Sequence, residues 1–193
     1  VFAGGGTGGH LFPGIAVAER LGHELPGVRV TFAGTGREFE RRSVTEAGFE
    51  YLTLRCRAWP RRPWQLVSFL EENWAGYRTA RQFLDEQQVS AVVGLGGFAS
   101  APMARAALKR RVPLVLLEQN VVPGRVTRWL SKSATFVCAA LEETAQYLHP
   151  RSAVLVTGNP IRAAFVPKRV EHLQPVEHAH ALGAEIAQST LAK

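Results

Sequence analysis

Aspartate is almost missing from this chain of 193 residues: Asp85 is the single one, and every other acid is a glutamate. A paired Asp-x-Asp site for a metal–nucleotide complex is therefore excluded, and so is a two-aspartate catalytic dyad. Cysteine is scarce too. Cys56 and Cys138 cannot build a disulfide framework, so a reducing cytoplasm is the default compartment. Long apolar runs are lacking. The longest uncharged window, 87–104, contains Gly94, Gly96, Gly97 and Pro102, which reads as a strand and a loop rather than a membrane span. No cleavable signal peptide, internal repeat or low-complexity tract is visible. Negative charge is in short supply against 23 Lys and Arg, and 16 acids leave a net charge of +7. Such a balance favours phosphates, nucleic acid or an anionic membrane as partners. What is present is apolar material for a core. At 46% hydrophobic residues the chain has enough to bury one domain.

Strand and helix signals alternate along the sequence at short loop lengths. Val1-Phe2-Ala3 reads as the end of a strand whose start is missing. Helices are expected at about 10–24, 38–47, 65–87, 101–111, 124–132 and 141–148, with Pro13 in the first turn of the first. Strands are expected at 28–33, 49–54, 89–95, 113–117, 135–138 and 153–156. Fully apolar runs such as Leu114-Val115-Leu116-Leu117 imply burial on both faces. The fold class is thus α/β, a Rossmann-like parallel sheet with helices on both faces. Residues 1–166 form that domain, and 167–193 are a tail or linker with a possible helix at 176–191. Ligands of such sheets bind at the carboxyl ends of the strands, where every glycine- or asparagine-rich loop of this chain falls.

Gly4-Gly5-Gly6-Thr7-Gly8-Gly9-His10 joins the first strand to the first helix. Glycine is required where backbone amides approach a phosphate, and the helix N-terminus adds partial positive charge. Gly4, Gly6 and Gly9 formally fit a dinucleotide fingerprint, but the second strand ends Ala33-Gly34-Thr35-Gly36, without the acid that would hold a ribose. A nucleotide P-loop fails because His10 stands where lysine is needed. A second glycine loop, 94–100, is not called for by an ordinary dinucleotide domain. Polar loops at Glu118-Gln119-Asn120 and at Thr157-Gly158-Asn159-Pro160-Ile161-Arg162 complete the set.

These four motifs, with Pro13-Gly14, Pro102 and Pro123-Gly124, resemble the MurG family of peptidoglycan glycosyltransferases in order and spacing over about 1–166. The resemblance implies the N-terminal, acceptor-side half of a GT-B glycosyltransferase. It implies an inverting transfer of N-acetylglucosamine from UDP-GlcNAc to lipid I, making lipid II, in peptidoglycan synthesis. The C-terminal donor domain is expected to be absent, leaving this chain inactive alone. No cofactor and no metal are expected. Leu117 replaces the family's histidine before Glu-Gln-Asn, and Phe98 replaces its usual tyrosine.

An inverting step needs a base on the acceptor side and amides or positive charge on the leaving diphosphate. His10 is the candidate base, with Glu118 second. The resemblance assigns Thr7, Gly8, Gly9, Asn120 and Arg162 to the UDP-sugar. Gly5, Gly6, Gly96, Gly97, Phe98 and Ser100 are assigned to the acceptor and its diphosphate. Glu118 could equally position the acceptor or serve structure, and Asn120 could cap the following helix.

Arg55, Arg57, Arg61 and Arg62 interleave with Trp59 and Trp64 ahead of the long helix, whose Leu66, Leu70, Trp74 and Tyr77 share one face. Aromatics beside arginines suit an anionic bilayer surface. The resemblance agrees, implying peripheral docking at the cytoplasmic face of the bacterial inner membrane. Two alternatives remain open at this level: a nucleotide- or dinucleotide-binding Rossmann domain of an oxidoreductase, and a non-catalytic membrane-surface module. No nucleic-acid motif is present. His178 and His180, two apart, would not share a helical face for a metal.

Overall fold

The computed structural model describes residues 1–161. Seven strands form one sheet: β1 Phe2–Ala3, β2 Thr31–Gly34, β3 Glu50–Thr53, β4 Val92–Gly94, β5 Leu114–Glu118, β6 Phe136–Ala139 and β7 Val154–Val156. Every pairing is parallel, and the order is β3-β2-β1-β4-β5-β6-β7. The helices between them are α1 Gly8–Glu24, α2 Glu38–Glu46, α3 Leu66–Glu86, α4 Ala101–Arg110 and α5 Arg125–Leu130. The expected α/β architecture is thus the observed one.

Side chains alternate along each strand and feed two apolar layers. Phe2, Phe32 and Leu117 pack with Leu11, Ile15 and Ala18 of α1 and Val44 of α2. Their neighbours Ala3, Ala33 and Leu116 point the other way, toward Tyr77, Ala80 and Leu84 of α3 and Met103, Ala104 and Ala107 of α4. Small residues on the second face admit the long α3 and α4. Phe2 and Phe32 stack at 5.2 Å on the first.

Three local expectations are corrected. The segment expected as an α-helix at 141–148 is a 3₁₀ helix, Glu142–Tyr147, with tight bonds from Thr144 N to Leu141 O and from Leu148 N to Ala145 O. The Thr144 hydroxyl also donates to Asn120 O, which ties this turn to the β5 loop. Strand β4 is three residues rather than seven: Val92–Gly94 pair with Leu114–Leu116 of β5, and Val93 and Gly94 also pair with Phe2 and Ala3 of β1. Helix α1 starts two residues earlier than expected, which moves Pro13 into its second turn. There the proline withholds the amide that Gly9 O would have met, and Gly9 is solvent-exposed.

Candidate active site

The strand order reverses between β1 and β4, where an open parallel sheet leaves a crevice above its carboxyl ends. The loops after β1 and β4 meet there. A Cβ on Gly97 would lie 3.3 Å from Gly5 O, so the two glycine loops approach closely. His10 sits in the first turn of α1, half-buried, and its Nδ1 lies 3.1 Å from Gln119 Oε1 in the loop after β5. Gly96, at φ +89°, runs past the same ring, where a Cβ would stand 3.3 Å from Cε1 and Nδ1. Three loops therefore converge on one imidazole. The loop after β7 opens on the same edge of the sheet, four strand spacings or about 19 Å from β1.

Of the residues expected at the site, Gly5, Gly6, Thr7, Gly8, Gly9, His10, Gly96, Gly97, Phe98, Glu118 and Asn120 all lie on this edge. The amides of Gly8 and Gly9 head α1 and have no carbonyl above them within the helix. Arg162 lies outside the described residues, as do the expected tail at 167–193, the helix at 176–191 and the pair His178 and His180.

The structure corrects how several of these groups are used. Ser100 is buried and its hydroxyl donates to Gly97 O at 2.9 Å, so it braces its own loop. Glu118 is 2% exposed, and its carboxylate accepts from Asn120 N, Asn120 Nδ2 and Gly124 N. A carboxylate so committed holds the β5 loop in shape and is poorly placed to take a proton from a substrate. Asn120 does not cap α5, whose N-cap is Gly124; its side chain serves Glu118 instead.

Glu40 was not legible in the sequence as a site residue. It comes from α2, is fully buried, and reaches beneath the first glycine loop. Its carboxylate accepts from Gly6 N, Thr35 N, Thr35 Oγ1 and Tyr51 OH. Arg37 adds a bond from its guanidinium to Gly6 O at 3.1 Å. Burial and the bond to Glu40 push the Tyr51 phenol upward from its ordinary range. Burial, with Glu40 and Glu72 nearby, pushes the half-buried Cys56 thiol up to about 12. The cluster fills the region at the end of β2 where a dinucleotide fold would hold a ribose, and it consumes the Gly6 amide. The oxidoreductase reading therefore finds no support.

Residues 1–139 match the profile of the glycosyltransferase family 28 N-terminal domain. The chain belongs to this family. It is 44% identical over 170 residues to the UDP-N-acetylglucosamine–N-acetylmuramyl-(pentapeptide) pyrophosphoryl-undecaprenol N-acetylglucosamine transferase of Pelobacter propionicus, covering 87% of this chain and 44% of that protein. The transferase of the same name from Trichlorobacter lovleyi is 40% identical over 164 residues, covering 84% of this chain and 42% of that one. Among solved structures, MurG of Acinetobacter baumannii superposes with a TM-score of 0.66 at 29% identity, over 86% of this chain and 46% of that one. The chain thus spans less than half the length of the curated relatives it matches.

The basic, aromatic segment of this family 28 domain leaves the carboxyl end of β3 and runs against α3 and α5. Arg55, Arg57, Arg61 and Arg62 are exposed, as are Trp59, Trp64, Leu66, Leu70 and Trp74. Tyr77 departs from the expected exposed stripe. It is buried, stacked beneath Trp74 at 5.4 Å, because α3 turns that part of its face onto α4 and the sheet. The sequence reading also passed over Trp129 of α5. It is half exposed, and with Phe69, Leu70, Trp74 and Arg105 it borders a shallow groove of about 290 Å³. Arg57 bonds Ser68 Oγ and Arg125 lies over the Trp59 ring at 5.9 Å, so the segment is pinned to α3 and α5. Among the described residues no helix is long and apolar enough to cross a membrane.

Proposed function

We propose that this chain is the acceptor- and membrane-side domain of an inverting hexosyltransferase. The reaction moves N-acetylglucosamine from UDP-GlcNAc to undecaprenyl-pyrophosphoryl-MurNAc-pentapeptide, converting lipid I to lipid II. The observation that carries this reading is the convergence of both glycine loops and the Glu-Gln-Asn loop on His10, in a family 28 domain. The substrates are those that the 44% identical Pelobacter propionicus transferase is named for.

In this reading the acceptor 4-hydroxyl attacks the anomeric carbon, His10 takes its proton, and UDP leaves with the bonding pair. Gly5, Gly6, Gly96, Gly97 and Phe98 shape the acceptor side. Ser100 and Glu118 act indirectly, by bracing two of the loops. Thr7, the free amides of Gly8 and Gly9, Asn120 and Arg162 approach the donor, most of whose pocket belongs to a C-terminal half. In this reading residues 1–166 belong to the domain and 167–193 are a tail or linker. The step is a displacement without redox change, so it calls for no redox cofactor. The arginine–tryptophan surface docks the domain on the anionic cytoplasmic face of the inner membrane.

The test is a chimera in which this chain is followed by the C-terminal half of the Pelobacter propionicus relative. The chimera should transfer N-acetylglucosamine to lipid I. His10→Ala should lower that transfer by about 10²–10⁴-fold, the range for loss of a general base, and leave UDP-GlcNAc binding within a few-fold. A loss of only a few-fold would remove His10 from the role of base. A folded chimera that binds UDP-GlcNAc but makes no lipid II would overturn the functional reading.

A further inference from the structure

We propose that Gln119 is a positioning residue for this reaction, one that fixes the tautomer of His10. The proposal rests on the reading of His10 as the base. Gln119 Oε1 lies 3.1 Å from His10 Nδ1, across 109 residues of sequence. An amide oxygen can only accept, so this contact favours the hydrogen on Nδ1, and in the neutral ring so oriented Nε2 keeps its lone pair. That is the form of imidazole able to take a proton from a hydroxyl through Nε2. During transfer the hydroxyl oxygen forms the new bond to the sugar, its proton passes to Nε2, and the bond to UDP breaks with the electron pair leaving on UDP. The ring then returns the proton to solvent.

The surroundings make Gln119 a fixed acceptor rather than an incidental contact. Its two neighbours are immobilised: Glu118 is buried with three donors, and Asn120 O accepts from Thr144 Oγ1. Gly96 lies close beside the Cε1 and Nδ1 edge of the ring, where even a Cβ would stand 3.3 Å away. The adjacent carboxylate, Glu118, is turned into its own loop, so the group that orients the base is a neutral amide. An amide sets the ring's direction without placing a charge on it.

Nitrogen-15 NMR of the 193-residue chain reads the tautomer directly. The parent chain should show the Nδ1–H form. Q119L should lose it, and Q119E, which still accepts a hydrogen bond, should retain it. In the chimera, Q119L should lower kcat by about 10-fold or more, as loss of a group that orients a reactive imidazole does, with KM for UDP-GlcNAc within about twofold. In a His10→Ala background Q119L should cost nothing further. The proposal is overturned if Q119L keeps the Nδ1–H form, or if it slows His10→Ala as much as it slows the parent. Q119M serves as a second apolar replacement. If neither apolar variant folds, Gln119 is a structural residue and the proposal also falls. A parent chimera that makes no lipid II removes the proposed function, whereas the tautomer of this chain still decides whether Gln119 controls His10.

Discussion

The Glu40 carboxylate takes four donors while showing no exposed surface, and two of those donors come from Thr35 at the end of β2. A buried polar group of this kind is costly to disturb, because each donor left without a partner loses its water as well. Glu40→Gln turns an NH₂ toward groups that are themselves donors. It should destabilise the domain by about 2–3 kcal/mol in urea unfolding, and Tyr51→Phe, which removes a single donor, by about 1 kcal/mol. A Glu40→Gln domain as stable as the parent would show that the loop does not depend on this carboxylate. Tyr51 and Cys56 also predict an alkaline dependence. Both are raised in the folded state, Cys56 from 9.0 to about 12, so the folded chain holds protons that the unfolded chain has already lost. Stability contributed by these groups is complete below their unfolded values and declines as pH rises through the folded ones. Unfolding free energy should therefore fall from about pH 9 upward, and Cys56→Ala together with Tyr51→Phe should flatten that slope.

At the scale of a single element, α3 divides its aromatic stripe between two environments. Tyr77 is 8% exposed and Trp74, one turn earlier, is 60% exposed. Helical periodicity groups the two, since residues three apart lie on neighbouring positions of one face. What separates them is α4, which packs against the C-terminal part of α3 and ends its cover near Trp74. Tyr77→Ala should cost about 3 kcal/mol, as large-to-small changes in a core do. Trp74→Ala should cost about 1 kcal/mol or less, mostly the lost stacking on Tyr77. Thermal unfolding of the two variants checks this, and equal losses would mean that Trp74 is core as well. The same contrast bears on docking. Trp74→Ala should weaken binding to vesicles, whereas a conservative Tyr77→Phe should leave it unchanged.

The whole domain is a doubly wound sheet with its reactive edge at one end and an arginine–tryptophan surface built from the β3–α3 segment and α3. Positive charge is concentrated there, in Arg55, Arg57, Arg61, Arg62, Arg105 and Arg125. Each basic residue near an anionic surface contributes on the order of 1 kcal/mol, and salt screens that attraction. The chain should co-sediment with anionic vesicles at low salt and release at high salt. Arg61→Glu with Arg62→Glu should abolish binding without unfolding, since both are exposed. Equal binding to neutral and anionic vesicles would leave the surface without an electrostatic role. On the function proposed above, this chain by itself should turn over no lipid I, because that reading places part of the donor pocket outside it and the groups around a transition state must be held together.

Composition and periodicity by themselves determined the fold class, the succession of strands and helices and the edge on which the glycine loops gather. Continuous apolar strands joined by short loops admit little besides a parallel sheet covered on both faces. The glycine loops and His10 were legible for the same local reason, since backbone approach and helix-terminal position are written in consecutive residues. Element ends were less legible. The start of α1 and the length of β4 depend on hydrogen-bond partners far along the chain. Only the tertiary structure decided which side chains are spent inside the site. Glu40 meets Gly6 across 34 residues, Gln119 meets His10 across 109, and Tyr77 is covered by a helix that follows it. No local pattern encodes those meetings, because they arise where parallel strands bring distant loops to a common edge.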